Sequence, residues 1–261
     1  MPMNPRLLVP RATFASPLSI AGCIGWYDSA DLSAMAQNSN GTGAVTVGDQ
    51  VGYWRDKSPT AAHVTQGIGA NRPTLTANAV NGRAALVFDG SNDNLFIASG
   101  YTAQNGLAGL TQLSVWRSSQ SSFHSRTLNS ANFNFAGGAI PFSFDQGNSR
   151  ITSWLSDSQL RSVARGATMP TPDVSYARVY DGTAGTIKIY FNNVEQAITV
   201  TTGTLPATTP TGDCRFHIGS NIAVNNFVNG PIAEYLIYNR ALSASELKTL
   251  HSYMQKKWGV A

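Results

Sequence analysis

From Cys23 to Asn239 the sequence is cut into short apolar runs by turn signals, and no window of about 11 residues carries a helical period. Clear runs are Cys23 to Tyr27, Ala84 to Phe88, Leu113 to Trp116 and Val174 to Tyr180, with Asp89-Gly90 and Asp181-Gly182 as punctuation. Short apolar runs closed by Asp, Asn and Gly are the pattern of strands joined by tight turns. The chain is therefore expected to be all-β.

Composition agrees. Glu occurs three times and Lys five times against 24 glycines, which leaves little material for helices. Only 12% of residues are charged while 42% are hydrophobic, so the surface polarity rests on Asn, Ser, Thr and Gln, residues suited to turns and pleated surfaces. A length of 261 residues fits one large sandwich preceded by a short extension. The turn spacing shows no fixed repeat, which argues against a propeller or solenoid.

Two local elements stand out. Between Thr186 and Val200, Ile187, Ile189 and Phe191 alternate with Lys188 and Tyr190, then Asn192-Asn193 precedes a second run, Val194 to Val200. Asn tolerates the positive φ of a two-residue hairpin turn, so this reads as a β-hairpin. Near the end, Ser243 and Glu246 form a capping box, and Leu247, Leu250, Met254 and Trp258 follow at helical spacing before Gly259. With no second helix to pack on, this one is expected to cap an open edge or end of the sheets.

Residues 1–21 contain Pro2, Pro5, Pro10 and Pro17 and read as an extended arm, with 22–261 as the sandwich. No run approaches the length of a membrane span, and no signal-length apolar region opens the chain, so a soluble, unexported protein is expected. The charge is +4, but the basic residues are scattered, which argues against nucleic acid. Cys23 and Cys214 have neither disulfide-framework nor metal spacing and read as two buried thiols.

Three segments carry a resemblance. The first is Gly25-Trp26-Tyr27-Asp28-Ser29-Ala30-Asp31 with Trp54-Arg55-Asp56-Lys57-Ser58 and Val64-Thr65-Gln66. The second is Asn81-Gly82-Arg83, Leu86-Val87-Phe88-Asp89-Gly90 and Asn92-Asp93-Asn94-Leu95. The third runs from Gly230-Pro231-Ile232-Ala233-Glu234 through Tyr238 and Ser243 to Lys257-Trp258-Gly259. Together they resemble the laminin-G-like modules of the concanavalin A-like lectin/glucanase superfamily. The resemblance implies a two-sheet antiparallel jelly-roll sandwich with one short C-terminal amphipathic helix. It also implies a scaffold that some relatives use to bind sugars or proteins and others to cleave glycans, common in secreted bacterial proteins and bacteriophage structural proteins.

A glycosidase needs two carboxylates flanking the bond, and the Glu-x-Asp-x-Glu strand of the glucanase branch is absent. Glu195 lies beside the hairpin turn and Glu246 belongs to the capping box, which leaves Glu234, read as structurally paired, for instance with an Arg. His63, His124, His217 and His251 have no ligand spacing and read as loop or surface residues; no metal and no cofactor is expected. Asp89, Asn92, Asp93 and Asn94 form an oxygen-rich loop that suits a turn or a sugar- or calcium-binding site, and Trp154 is the aromatic best placed to stack on a sugar. Trp26, Trp54 and Trp258 read as core.

Three functions compete. The leading one is a non-catalytic virion protein of a bacteriophage, a capsid decoration or tail/fibre component. It is made in the host cytoplasm, and its arm and one sandwich face bind other virion proteins and copies of itself. The alternative is an extracellular or cell-surface carbohydrate- or receptor-binding module. The third, a glycoside hydrolase, is disfavoured by the missing motif. Neither nucleic acid nor membrane is an expected partner.

Overall fold

The computed structural model describes residues 16–116, 126–129, 142–145, 150–154, 161–164, 174–200, 205–209, 211, 215–220 and 227–261; for 126–129, 142–145, 150–154, 161–164, 174, 199 and 200 it describes the backbone alone. In chain order the strands are β1 (Cys23–Asp28), β2 (Met35–Ala36), β3 (Tyr53–Trp54), β4 (Val64–Thr65), β5 (Thr74–Val80), β6 (Arg83–Asp89), β7 (Leu95–Ile97), β8 (Gly109–Trp116) and β9 (Arg126–Asn129). They continue with β10 (Phe142–Asp145), β11 (Arg150–Trp154), β12 (Arg161–Ala164), β13 (Val174–Asp181), β14 (Thr186–Phe191), β15 (Val194–Glu195), β16 (Ile198–Val200), β17 (Phe216–Ile218) and β18 (Asn229–Tyr238), and helix α1 spans Ala244–Trp258.

One layer of the sandwich is an eight-stranded antiparallel sheet in the order β15-β14-β13-β8-β18-β6-β5, with β1 paired to β18 beside β6. The other layer holds two five-stranded sheets, β16-β12-β11-β10-β9 and β17-β7-β4-β3-β2, which meet where β17 runs next to β9. Period-2 alternation splits the first sheet's side chains between two cores. Leu110, Trp116, Tyr176, Tyr180, Ile187 and Ile189 face the inner core with Trp54, Phe216 and Tyr27. Leu113, Val115, Ala177, Val179, Leu236 and Tyr238 face outward, under Leu247, Leu250, Met254 and Trp258.

The helix therefore covers the outer face of the large sheet, not an edge or an end. The expectation failed because the sheet is apolar on both faces, and an apolar outer face needs a cover as much as an open edge does. Its boundaries match the sequence signal: the Ser243–Glu246 capping box is formed, the four predicted stripe residues are the buried ones, and Gly259 takes the left-handed φ of 69° that ends the helix.

The predicted hairpin forms, with Asn192 and Asn193 at φ 47° and 62°, but its second run is not one strand. Val194–Glu195 pairs with β14, whereas Ile198–Val200 crosses to the other layer and pairs with β12. Of segment 1–21, residues 16–21 are described, and within them Ser16 and Ile20 have extended backbone angles on either side of one short turn. Pro17–Ser19 is a 3₁₀ turn capped by Ser16, and Ile20 packs into the outer core. Cys23 is buried, and burial pushes its thiol up to about 12; Cys214 lies outside the described residues.

Candidate functional site

The densest polar arrangement lies between β18, β1 and the end of α1. A β-bulge between Ile232 and Glu234, pinned by the Ser29 backbone N–H and hydroxyl on the Ala233 carbonyl, sets Ala233 and Glu234 in succession toward the helix. Glu234 is fully buried there. Its Oε1 accepts hydrogen bonds from Trp26 Nε1 and Tyr253 OH, both at 2.7 Å. Its Oε2 accepts from Trp258 Nε1 at 2.6 Å and pairs with Lys257 Nζ at 2.9 Å.

The same Lys257 nitrogen lies 2.6 Å from Asp28 Oδ1. Asp28 Oδ2 meets Lys57 at 3.0 Å, and Lys57 continues to Asp31 at 2.7 Å while stacking over the Trp26 ring. Beneath this chain, buried Asp56 accepts from the backbone N–H groups of Trp26, Ser58 and Ala62 and from the Ser58 hydroxyl. The predicted structural pairing of Glu234 is present, with Lys257 in the place expected for an Arg.

Burial pushes the Glu234 carboxyl up, against the pull of the Lys257 ammonium. Burial and the Glu234 charge push the Tyr253 phenol up as well. At the wetter end, hydrogen bonds from Lys57 and Ser33 hold Asp31 down at about 2. The array is graded: an ionised, part-exposed carboxylate at Asp31, then Asp28 between two ammonium groups, then a dry carboxyl enclosed by aromatic rings. Two carboxyls share one ammonium, a proximity that suits acid–base work, yet Glu234 and Asp28 are both closed off from solvent.

The loop from Asp89 to Asn94 uses its polar groups differently. Asp89 Oδ1 accepts the backbone N–H of Ser91, Asn92 and Asp93 at 2.8, 3.1 and 3.3 Å, and Asp93 Oδ2 accepts the Asp89 N–H at 2.9 Å. Asn94 is buried, accepts from the Gln66 side-chain amide and donates to Ser220 Oγ at 3.2 Å. Burial and the Asp89 charge push the Asp93 carboxyl up to about 6. Among the described residues no group of three His, Cys, Asp or Glu side chains is arranged to hold a metal ion. Asp89, Asp93 and Asn94 are thus engaged in building the turn; among the described residues the buried Asn92 Oδ1 has no hydrogen-bond partner.

Trp154 ends β11 opposite Arg161 of β12, and its side chain lies outside the described residues, as does His124. Of the other histidines, His63 lies in a loop as expected, whereas His217 and His251 sit on regular elements. His217 is buried in β17 against the Phe96 ring, where burial pulls it down to about 4. His251 sits half-buried on α1 with Nδ1 2.7 Å from Ser175 Oγ, and His63, in a loop, accepts the Asp56 N–H. Trp54 and Trp258 are core as predicted, whereas Trp26 is only part-buried, one face given to Lys57. A surface groove of about 340 Å³ beside β2 is lined by Met35, Val45, Gly41 and Gly43 among others; none of its lining residues is aromatic.

A family model described as the concanavalin A-like lectin/glucanases superfamily matches residues 89–248, more than half of the chain. The chain belongs to that superfamily. Among solved structures, this superfamily member is similar to a Trypanosoma rangeli sialidase at 15% identity and a TM-score of 0.56, over 93% of this chain and 34% of the other. It spans about a third of the sialidase's length. Domain 4 of an extracellular arabinanase from Geobacillus stearothermophilus, solved with arabinotriose, matches at 17% identity and a TM-score of 0.51, over 88% of this chain and 98% of that domain. The receptor-binding domain of botulinum neurotoxin D matches at 11% identity and 0.54, over 88% of this chain and 52% of the other. At these identities the likeness is one of fold. No curated protein matches the sequence.

Asp28, Asp31, Lys57 and Lys257 were not singled out by sequence reasoning as functional. A signal existed: all of them, with Glu234, fall inside the segments that carried the family resemblance. In a chain with five lysines and three glutamates, two and one of them meet here.

Proposed function

We propose that the protein is a non-catalytic interaction module, and specifically a structural component of a bacteriophage virion that docks through its N-terminal arm and one sandwich face. The observation that carries the non-catalytic reading is the internal use of the acidic groups a sugar-cleaving site would need. Glu234 and Asp28, both buried, share Lys257, Glu246 pairs with Arg240 and caps α1, and Glu195 pairs with Lys188. A reacting sugar would have to displace an ammonium group and three hydrogen-bond donors to reach Glu234.

The finer reading is supported by how the arm is rooted. Tyr238 OH donates to the Pro17 carbonyl at 2.9 Å, Arg240 Nε to that of Ala21 at 3.0 Å, and the Asn239 N–H to that of Gly22 at 2.9 Å. The segment from Pro17 to Gly22 is thus held against the end of β18 and the residues that follow it, a root suited to an arm that docks on a neighbouring subunit. The charge-poor surface, rich in Asn, Thr and Ser, suits permanent contacts better than a heavily charged one.

The test removes residues 1–15 and leaves the anchored turn in place. Incorporation into particles is expected to fall sharply while the melting temperature of the isolated protein stays the same. Unchanged occupancy would refute docking through the arm, and turnover of a glycan panel that Glu234→Gln abolishes would refute the non-catalytic reading.

A glycan-binding module is the second reading, favoured by the arabinotriose-bearing domain that matches nearly end to end. Against it, the groove beside β2 offers no aromatic ring for a sugar to stack on. Glycan-array binding lost in Trp154→Ala and Asp93→Ala would favour this second reading over the first.

A further inference from the structure

We propose that Lys257 and Asp28 become joined by an amide bond after folding, with Glu234 as the proton carrier, so that the first strand and the last helical turn are covalently closed on one another. This is independent of the reading above; it rests on the geometry of the buried array.

Three requirements of such a bond meet here. The nucleophile and electrophile are held in contact: Lys257 Nζ lies 2.6 Å from Asp28 Oδ1, and folding fixes this pair where a bimolecular encounter in water would not. A proton carrier touches the same nitrogen, since Glu234 Oε2 is 2.9 Å from it. Donors stand ready for charge that builds on the attacked carboxyl, with the Ala30 N–H on Asp28 Oδ1 and the Lys57 ammonium on Oδ2, both at 3.0 Å.

Burial supplies the driving force. Amide formation from a solvated carboxylate and ammonium is uphill in water because both ions lose hydration; in this array Asp28 has already lost it. Trp26, Tyr253 and Trp258 hold Glu234 in place, and Lys257 lies over the Tyr253 and Trp258 rings at 5.2 and 5.4 Å. Burial also makes the Glu234 carboxylate a stronger base toward the Lys257 ammonium. Lys57 is the wrong nucleophile: its second partner, Asp31, is part-exposed and held ionised, so it cannot pass a proton on.

The balance is simple. The Lys257 ammonium gives one proton to Glu234, and the free amine attacks Asp28 Cγ. A second proton leaves the nitrogen, and both protons depart with one Asp28 oxygen as water. One C–N bond forms and one C–O bond breaks. A positive and a negative charge vanish together, nothing is oxidised or reduced, and Glu234 ends as it began.

Intact-mass spectrometry of the denatured full chain tests this directly. The wild type is expected to be lighter than its sequence by one water, and a protease digest to yield a branched peptide joining residues 28 and 257. Lys257→Arg, which keeps the charge but supplies no comparable amine, and Glu234→Gln, which keeps the side-chain shape, are each expected to show the full sequence mass. A wild-type chain of full mass after prolonged incubation in the folded state overturns the proposal, whatever the variants do. A loss of water that persists in Lys257→Arg overturns it equally, because the dehydration then lies elsewhere, and a Glu234→Gln chain that still loses water removes Glu234 from the role assigned to it.

Discussion

The two carboxylate-bearing regions solve one problem in opposite ways. In the loop from Asp89 to Asn94, the Asp89 carboxylate is satisfied by backbone N–H groups two to four residues away. Under α1, Glu234 is satisfied by Trp26, 208 positions distant, and by Tyr253, Lys257 and Trp258 from another element. The first arrangement builds a turn wherever the chain places it. The second exists only when strand, bulge and helix have assembled, and it fastens them to one another.

The comparison predicts a large penalty at the long-range site. Glu234→Ala leaves the Trp26, Tyr253 and Trp258 donors without their acceptor and Lys257 without one of its two carboxylate partners, and is expected to destabilise the fold by about 3 to 5 kcal/mol in denaturant titration. A loss under about 1 kcal/mol would mean that the array tolerates its central residue's absence and that the contrast is empty.

The loop should respond to pH instead. The Asp93 carboxyl sits at about 6 in the fold against an ordinary value of 3.8, so the folded state holds the proton more tightly than the unfolded one. Its favourable contribution is present below about pH 4 and is lost as pH rises through about 6. Asp93→Asn keeps an oxygen for the Asp89 N–H and removes the charge. It is expected to flatten the stability profile between those limits and to gain roughly 1 to 2 kcal/mol at neutral pH, measured by melting across a pH series. An unchanged profile would place the Asp93 carboxyl in water.

The smallest effect belongs to the helix cap, where satisfaction is again local. Glu246→Ala removes the reciprocal half of the capping box and the partner of Arg240, at a cost of about 1 kcal/mol, mostly from the cap because the ion pair is about a third exposed. Addition of salt should leave that cost nearly unchanged, which separates it from a purely ionic interaction.

These contrasts mark where sequence reading reached and where it stopped. The capping box, the apolar stripe of α1, the Asn192-Asn193 turn and the Asp89 turn were legible because each depends on residues within one or two turns of chain. The family was legible in the Trp26, Trp54 and Gly230 segments, and the matching family model bears it out. The candidate site was not. Asp28 and Lys57 look like ordinary loop charges until β1 pairs with β18 and sets Asp28 opposite Glu234.

By itself, then, the sequence determined an all-β sandwich, its single capped helix and the chemistry of its turns, since hydrophobic period, backbone preference and capping act over short separations. Only the tertiary structure decided that the helix lies on a face, that the run from Val194 to Val200 divides between layers, and that Glu234 is enclosed by lysine, tyrosine and two tryptophans. A bulge and a strand register aim those side chains; the first follows from pairing between segments about 120 residues apart and the second from segments about 200 apart. No local pattern encodes such an approach, because the free energy that enforces it comes from burying two sheet faces at once.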